Sequence, residues 1–322
     1  MTELVAVDIG GTHARFALAR VRDGRVEALS HETVLKTAEH ASLQTAWEAY
    51  AAELGRPLPR AAGIAVACPI QGEVLQLTNN PWIIRPALIG EKLGLDRFSL
   101  VNDFAAVAHA VAQAAPGHLR HLCGPDVPLP ESGVVTVVGP GTGLGVGALL
   151  RTPQGYHVLP TEGGHIDFAP LDTLEDAILQ RLRQRYRRVS VERIVSGPGL
   201  ASIYEALAAI EGRAVEQRDD RELWAAAMAG SDSLAAAALD RFCLSLGAVA
   251  GDIALAQGAS AVVIAGGLGL RLADHLPCSG FGRRFTAKGR FETLMARMPV
   301  KLITHPQPGL LGAAAAFGEE HA

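Results

Sequence analysis

Cysteine is scarce in this sequence, and its spacing is informative. The 322 residues include four cysteines with no CxxC pair among them: Cys68, Cys123, Cys243 and Cys278. This pattern lacks the ligand spacing of the common zinc sites and predicts reduced thiols in a cytosolic protein. Positive charge is not in excess either, because 29 lysine and arginine residues face 33 aspartate and glutamate residues, for a net charge of −4. A nucleic-acid-binding surface needs the opposite balance, so we expect no nucleic-acid partner.

Long hydrophobic runs are nearly absent as well. The uncharged stretch at residues 133–150 has the length of a membrane span, but its six glycines and Pro140 disfavour a helix. We therefore expect no membrane association. The first predicted strand begins by residue 4, so we also expect no signal peptide. The densest basic run is interpreted as a solvated helix face. Its residues are Arg181, Arg183, Arg185, Arg187 and Arg188.

The sequence is instead rich in apolar residues arranged in short periodic segments. Hydrophobic residues make up 49% of the chain and mean hydropathy is +0.20, which indicates a compact globular core. The length suggests about two domains. The patterns predict strands at 4–9, 14–20, 25–35, 63–67, 74–77, 99–101, 261–265 and 300–304, and helices at 42–54, 86–94, 104–112, 172–187, 199–210, 221–229, 233–257 and 309–317. Strands interleaved with helices predict an α/β fold.

The N-terminal segment predicts a hairpin with a glycine-rich turn. Residues 5–19 are VAVDIGGTHARFALA, with apolar alternation on both sides of the GGT turn. A second stretch, VVTVVGPGTGLGVGALL at 134–150, has the same strand–turn–strand pattern. A shift of 130 residues aligns the two stretches and suggests two similar lobes built by duplication. The coinciding pairs are Val5 and Val135, Val7 and Val137, Gly11 and Gly141, and Thr12 and Thr142.

Both turns are candidates for holding a phosphate group. Glycine has no Cβ, so several N–H groups can converge on an anion, and the threonine hydroxyl adds a donor. The sequence contains no GxxxxGK[ST] motif, and a dinucleotide fingerprint would need a helix after the turn. An ordinary hairpin turn is the alternative interpretation. Asp8 directly precedes the first turn, and beside a polyphosphate it implies Mg²⁺ held directly or through water. Alternatively, Asp8 braces the turn by accepting N–H bonds.

Short motifs along essentially the whole chain are similar to those of a known family. In order, they are DIGGTHARFALA, TNNPW, VNDFAAVAHA, GPGTGLGV, TEGGHIDFAP, VSVERIVSGPGL, VIAGG and PGLLGAAAA. Together they resemble the bacterial ATP-dependent glucokinase family, in the group without a cysteine-rich zinc loop. The sequence departs from the family pattern at His13, where many relatives carry asparagine, and at Pro81 in TNNPW.

The resemblance implies a duplicated actin-like (ribonuclease H-like) ATPase fold, with two lobes around a central cleft for nucleotide and sugar. We expect a small α/β lobe at 1–113 plus 305–322 and a large α/β lobe at 114–304. The implied activity is transfer of the γ-phosphoryl group of ATP to the 6-hydroxyl of glucose, with Mg²⁺, by a cytoplasmic homodimer. Two alternatives stay open: a kinase for another hexose or an amino sugar, and a non-catalytic sugar-binding regulator.

The same resemblance implies roles for individual residues. Asp103 would be the general base, although an aspartate before a helix is also the ordinary N-cap and one side chain can do both. Carboxylates suit a sugar, because each accepts hydrogen bonds from two hydroxyl groups. The implied sugar contacts are Asn102, Asp103, Glu162, His165 and Glu192; the phosphate contacts are Gly10, Gly11, Thr12, Gly141 and Thr142; the adenosine contacts are Gly266 and Gly267; and Asp8 would hold Mg²⁺ through water.

Two neighbouring motifs have simpler interpretations. Glu162-Gly-Gly-His165 is not HExxH, and its glycines disfavour a helix, so zinc ligation is disfavoured there. Asp167 is a candidate for ordering the His165 ring. Gly197-Pro-Gly199 is interpreted as a helix start.

Overall fold

The computed structural model describes residues 1–77, 80–215 and 218–322, and these form an α/β protein as predicted. The chain divides into two compact units. Unit 1 comprises Met1–Ala115 with His305–Ala322, and unit 2 comprises Pro116–Thr304. Each unit is built on its own main sheet. Thr78 and Asn79 of the TNNPW motif lie outside the described residues.

The secondary-structure elements are numbered along the chain. The strands are β1 (Thr2–Ile9), β2 (His13–Arg22), β3 (Arg25–Lys36), β4 (Ala61–Val66), β5 (Leu75–Gln76), β6 (Ile83–Ile84), β7 (Arg97–Asn102), β8 (Leu119–Cys123), β9 (Gly133–Pro140), β10 (Leu144–Thr152), β11 (Gly155–Thr161), β12 (Ala259–Ile264) and β13 (Val300–Ile303). The α-helices are α1 (Leu43–Leu54), α2 (Ile89–Leu93), α3 (Asp103–Gln113), α4 (Thr173–Arg185), α5 (Gly197–Ile210), α6 (Asp220–Ala229), α7 (Ser233–Gln257), α8 (Gly266–Arg271), α9 (Phe281–Thr286), α10 (Glu292–Ala296) and α11 (Pro308–Glu320).

The sheet of unit 1 has the strand order β3-β2-β1-β4-β7, with β1 at its centre. Successive side chains of a strand point to opposite faces, and β1 is apolar on both. Val5 and Val7 belong to a buried cluster that includes Trp47 of α1. Leu4 belongs to a second cluster with Leu310 of α11. Because helices cover both faces, β1 is buried along the run that leads into the first glycine turn.

The sheet of unit 2 has the strand order β11-β10-β9-β12-β13-β8. Its core contains much of α7, where Phe242, Cys243 and Leu246 are completely buried at helical spacing. By length and composition α7 could cross a membrane, but 78% of its apolar window is buried inside the structure. That burial is typical of a core helix. The predicted helix at 233–257 therefore has the bounds expected and serves as the central element of this core.

The two sheets repeat the same arrangement. β1 pairs antiparallel with β2 and parallel with β4, and β9 pairs antiparallel with β10 and parallel with β12. The outer strands also correspond. β3 and β11 are edge strands that pair antiparallel with β2 and β10, and β7 and β13 pair parallel with β4 and β12. β8 is an additional antiparallel strand in unit 2. The structure thus confirms the duplication predicted from the 130-residue shift.

Several elements of unit 2 were not predicted. β11 contains Gly155 and Pro160, both unfavourable in a central strand, and it is tolerated because it forms the edge of its sheet. β8 is also an edge strand, and it mixes charged and apolar residues without clean alternation. The short helices α8, α9 and α10 have six, six and five residues, too few to show a helical period.

Candidate active site

The first glycine turn, residues 10–13, closes the hairpin of β1 and β2. The N–H of Gly10 donates to the carbonyl of His13 at 2.9 Å. The carbonyl groups at positions 10, 11 and 12 all accept hydrogen bonds from residues outside the turn. The carbonyl of position 10 accepts from Asn80 Nδ2 at 2.9 Å, that of position 11 from Thr37 Oγ1 at 3.1 Å, and that of position 12 from the Thr37 N–H at 3.0 Å. Two residues distant in sequence therefore hold three consecutive peptide groups of this turn.

The N–H groups of Gly11 and Thr12 in this turn differ from its carbonyl groups. Within the described part of the chain, no acceptor bonds the N–H of Gly11 or Thr12. The Thr12 hydroxyl is exposed and lies 2.9 Å from His13 Nδ1. Adjacent N–H groups in a turn, with a hydroxyl beside them, form a concavity that can bind an anion. His13, a departure from the family pattern, thus contacts the hydroxyl side of the turn.

Asp8 lies near the end of β1, just before the first turn, and its side chain is 19% exposed. One carboxylate oxygen accepts from Arg15 Nη1 at 3.2 Å, across the hairpin. A Cβ added at Gly309 would lie 2.5 Å from the same oxygen, so Asp8 packs directly against the start of α11. Burial raises the pKa of the Asp8 carboxyl, and the Arg15 guanidinium opposes that shift.

Asp8 fits a magnesium ion only as an indirect holder. Among the described residues there is no group of three or more histidine, cysteine, aspartate or glutamate side chains that could hold a metal. Mg²⁺ commonly keeps several waters and takes one or two carboxylates plus substrate phosphates, so a lone carboxylate beside a phosphate turn suits it. Arg15 already occupies one Asp8 oxygen, which favours contact through water.

Asn102 and Asp103 stand where β7 ends and α3 begins. Asn102 is the N-cap, because its Oδ1 accepts from the N–H groups of Phe104 at 2.9 Å and Ala105 at 3.4 Å. Its Nδ2 donates to the carbonyl of Cys68 at 3.2 Å, which fixes the amide orientation. Asp103 is the first helical residue, with its Oδ1 2.8 Å from the Phe104 N–H. The N-cap interpretation of Asp103 is therefore wrong, since its neighbour has that role.

The second glycine turn, residues 141–143, joins β9 and β10. The N–H of Gly141 donates to the carbonyl of Gly143 at 2.8 Å, and the carbonyl of Gly141 accepts from the N–H of Gly197 at 2.7 Å. The N–H of Leu144 donates to Glu192 Oε2 at 2.9 Å. Gly197 starts α5, as predicted, so a helix start and a carboxylate support this turn.

Three predicted sugar contacts lie beside this second turn. Glu162 precedes the 3-10 helix Gly163–His165 and His165 is its last residue, with Glu162 Oε2 3.9 Å from His165 Nε2 and both side chains exposed. Gly164 packs against the carbonyl of Leu144, which ties that helix to the turn. Glu192 lies on the 3-10 helix Val191–Arg193, and the Val191 N–H donates to Ile166 at 2.9 Å. Unit 2 therefore brings these three acceptors and the second turn together.

Asp167 does not have the role suggested for it. Its Oδ1 accepts from Arg188 Nε at 2.6 Å, in an exposed ion pair. The nearest described carboxylate to His165 is instead that of Glu162. The arginines of the basic run at 181–188 are exposed, as predicted, and Arg188 uses its charge in this pair.

Gly266 and Gly267 follow β12 and begin α8. Gly266 has a φ of +76°, and a Cβ there would lie 2.5 Å from the carbonyl oxygen of Pro140. Backbone conformation and close approach both require glycine at this position. Gly267 is exposed, with open space where its Cβ would stand. The predicted adenosine contact thus lies against the strand end that enters the second turn.

The predicted site residues fall into two groups, one in each unit. Unit 1 contains Asp8, Gly10, Gly11, Thr12, Asn102 and Asp103; unit 2 contains Gly141, Thr142, Glu162, His165, Glu192, Gly266 and Gly267. Three residues that support this site were not predicted from the sequence: Thr37 and Asn80, which hold the first turn, and Arg15, which bonds Asp8. Arg15 and Asn80 did carry a signal, because they belong to the DIGGTHARFALA and TNNPW motifs.

Comparison with known proteins agrees with the predicted resemblance. A family model described as Glucokinase matches residues 4–320. A glucokinase from Zymomonas mobilis subsp. mobilis is 66% identical over 319 residues, covering 99% of this chain and 98% of the relative. A glucokinase from Marinobacter nauticus is 41% identical, covering 97% of this chain and 96% of the relative.

Solved structures give the same fold. A glucokinase from an Antarctic psychrotroph superimposes with a TM-score of 0.89 at 33% identity, covering 99% of both chains. A ROK family glucokinase from Streptomyces griseus, solved in complex with glucose and AMPPNP, has a TM-score of 0.62 at 20% identity, covering 97% of this chain and 98% of that one. The second likeness is one of fold alone. The actin-like ATPase fold predicted from the motifs is confirmed, and the chain belongs to the glucokinase family.

Proposed function

We propose that Asp103 is the general base when this chain transfers the γ-phosphoryl group of ATP to the 6-hydroxyl of glucose. The overall reaction, ATP-dependent phosphorylation of glucose, follows from membership in the glucokinase family. The observation that carries the role of Asp103 is the capping of α3 by Asn102. Because Asn102 is the N-cap, Asp103 is the first residue of α3 and lies at the helix N-terminus. The helix N-terminus favours a negative charge at this position, and a base must be ionised.

The proposed step moves one proton and one phosphoryl group. Asp103 accepts the proton of the 6-hydroxyl as its oxygen bonds to the γ-phosphorus, and the bond from that phosphorus to the bridging oxygen breaks to release ADP. In unit 1 the N–H groups of Gly11 and Thr12 donate to phosphate oxygens, and in unit 2 the turn at Gly141 and Thr142 does the same. Mg²⁺, when bound, neutralises phosphate charge, with Asp8 holding it through water.

Sugar recognition is proposed for the acceptors beside the second turn together with Asn102 and Asp103. Glu162, His165 and Glu192 lie on adjacent 3-10 helices that are bonded to each other through Val191 and Ile166. Carboxylates that accept sugar hydroxyls discriminate strongly, since a sugar lacking the matching hydroxyl leaves a desolvated acceptor unpaired. On this basis glucose is preferred over other hexoses and amino sugars.

The assembly and location are also proposals. We propose a homodimer in the cytoplasm, with residues 1–113 plus 305–322 as the small lobe and 114–304 as the large lobe. The free cysteines suit a reducing compartment, because two are buried and none is paired among the described residues. Size-exclusion chromatography with light scattering tests the dimer directly.

One experiment tests the proposed function. ADP release is measured for glucose, mannose, fructose and N-acetylglucosamine, with and without Mg²⁺, for the wild type and Asp103→Asn. We expect a preference for glucose, a requirement for Mg²⁺, and a loss of about 10²- to 10⁴-fold in kcat for Asp103→Asn, the usual worth of a general base.

The matched control is Asp96→Asn in the same unit. Asp96 forms an exposed ion pair with Arg60 at 2.6 Å, and exposed pairs contribute little to stability. Its kcat should equal that of the wild type. Preference for another sugar would make the chain a kinase of that sugar, and no sugar-dependent ADP release would make it a regulator. Asp103→Asn turnover within tenfold of the wild type would refute the base assignment.

A further inference from the structure

Thr37 occupies an unusual place beside the first glycine turn. It begins the 3-10 helix Thr37–Glu39, directly after β3, and is 1% exposed. Its hydroxyl donates to the carbonyl of Gly11 and its N–H donates to the carbonyl of Thr12. Burying a donor without an acceptor costs free energy, so both donors of buried Thr37 need partners. Both partners are carbonyl groups of the first turn, and Thr37 therefore supports that turn.

Asn80 supports the same turn from another segment. It is 7% exposed, and its Nδ2 donates to the carbonyl of Gly10 at 2.9 Å. Its Oδ1 accepts from the Trp82 N–H at 2.9 Å, which fixes the orientation of the amide. The indole of Trp82, 1% exposed, donates to the carbonyl of Thr37 at 3.2 Å and to that of His40 at 2.8 Å. Asn80, Trp82 and Thr37 are therefore linked into one buried network.

The network has a geometric consequence for the turn. A trans peptide group is planar, so the carbonyl of one residue and the N–H of the next point in opposite directions. Holding the carbonyl of Gly10 toward Asn80 therefore directs the N–H of Gly11 away from it. Holding the carbonyl of Gly11 toward Thr37 directs the N–H of Thr12 away in the same manner. The two N–H groups that the described chain leaves without acceptors are those aimed by these two side chains.

We propose that Thr37 and Asn80 are positioning residues for phosphoryl transfer, which aim the N–H groups of Gly11 and Thr12 at the phosphates of the nucleotide. Trp82 holds both residues in place. This inference rests on the proposed role of the first glycine turn in binding phosphate. Preorganised donors stabilise charge without reorganising during the reaction, so loosening them weakens both nucleotide binding and turnover.

The test compares side-chain donors with isosteric replacements. Thr37→Val removes the hydroxyl and keeps the backbone N–H, Thr37→Ser keeps the hydroxyl, and Asn80→Asp keeps the acceptor for Trp82 while removing the donor to Gly10. We expect Thr37→Val and Asn80→Asp to raise the KM for ATP about five- to tenfold, in line with the loss of one hydrogen bond, and to lower kcat. Glucose affinity measured by calorimetry without ATP should stay unchanged, and Thr37→Ser should restore wild-type constants.

The matched control is Thr136→Val. Thr136 is fully buried and its hydroxyl donates to Gln257 at 2.7 Å, so the same atoms change in a core position of unit 2. A merely structural effect would lower stability equally in Thr37→Val and Thr136→Val and leave both ATP constants alone. ¹⁵N spectra report the turn directly: an ATP analogue should shift the Gly11 and Thr12 amides in the wild type and shift them less in Asn80→Asp.

The failure of this inference is distinguishable from failure of the proposed function. Gly11→Val places a side chain on the turn itself. If Gly11→Val raises the KM for ATP while Thr37→Val and Asn80→Asp match the wild type, the positioning role is refuted and the phosphate turn stands. If Gly11→Val also binds ATP normally, the first turn does not bind phosphate, and the positioning role and the phosphate role of this turn are both refuted. The role of Asp103 is decided separately by Asp103→Asn. If one of the two variants, Thr37→Val or Asn80→Asp, does not fold, the other is compared with the wild type and gives the same test.

Discussion

The two glycine turns end equivalent hairpins, yet they are supported in different ways. The first is held through its carbonyls at residues 10–12, by Thr37 and Asn80. The second is held through one carbonyl, at Gly141, and through the N–H of Leu144, which donates to Glu192. The supports of the first turn have no predicted contact with sugar. Glu192, a support of the second turn, is also a predicted sugar contact.

The difference arises where the repeats diverge, after their third strands. In unit 1 a 3-10 helix, Thr37–Glu39, follows β3 and supplies a support for the turn. In unit 2 a 3-10 helix, Gly163–His165, follows β11, and the predicted sugar contacts Glu162 and His165 are its N-cap and its last residue. The same connection in the duplicated fold thus supports a turn in one unit and carries residues proposed to recognise sugar in the other. The first turn should be insensitive to sugar, and the second should respond to it.

Among the changes that distinguish the two turns, the largest expected effect is that of Glu192→Gln. Glu192 Oε2 accepts from Leu144 while the carboxylate is proposed to bind sugar, so neutralising it weakens a charge-assisted hydrogen bond and a sugar contact together. We expect kcat/KM to fall about 10- to 100-fold for glucose and for ATP alike. Glu162→Gln is the control, because its exposed carboxylate makes no bond to the turn and should affect glucose alone.

Hydrogen exchange sharpens this prediction. The Leu144 amide should exchange slowly in the wild type, more slowly with glucose, and fast in Glu192→Gln. An unchanged Leu144 rate in the variant, with ATP affinity equal to that of the wild type, would show that Glu192 only binds sugar. The two turns would then be equally independent of the sugar site.

The next largest difference is expected between two alanine substitutions, Gly143→Ala in the second turn and Gly10→Ala in the first. A Cβ at Gly143 would lie 2.5 Å from Glu192 Oε2, whereas a Cβ at Gly10 would meet its nearest neighbour, the His13 carbonyl, at 3.4 Å. Gly143→Ala should therefore displace the Glu192 carboxylate and leave the buried Leu144 N–H without its acceptor, which should lower the free energy of unfolding by about 1–3 kcal/mol and weaken glucose binding. Gly10→Ala should change stability by less than about 0.5 kcal/mol. Urea unfolding and calorimetry check both, and equal losses would contradict the asymmetry.

Some features of the two turns and of the candidate site could be predicted from the sequence, and others could not. The glycine turns and their repeat were predictable, because apolar alternation around glycine is a local pattern with a direct structural cause. Asp103 and Glu192 were proposed as site residues by resemblance, and the sequence did not decide between Asn102 and Asp103 as the N-cap, because both residue types are favoured there. Thr37 was not predictable, since a threonine between Lys36 and Ala38 has no distinguishing pattern. Its role depends on a turn 26 positions away, which only tertiary structure brings near.

The smallest expected effect concerns acid, and it separates the two units. His109 of α3, in unit 1, is 6% exposed, and burial lowers its pKa to about 4. The histidines of unit 2, all within its described residues, are less buried. As the pH falls, His109 of the unfolded chain takes up a proton near pH 6.5, whereas His109 of the folded chain does so only near pH 4. The contribution of neutral His109 to the unfolding free energy is therefore complete above about pH 6.5 and is lost between about pH 6.5 and pH 4.

His109→Gln tests this contribution, because glutamine does not titrate. Between pH 7 and pH 5 the wild type should lose on the order of 1–2 kcal/mol more unfolding free energy than the variant. Hydrogen exchange should place the added opening at pH 5 in unit 1, which carries the first glycine turn, and leave protection around the second turn unchanged. Equal acid losses in the two proteins would show that His109 does not set the pH response. The first glycine turn would then be as resistant to acid as the second.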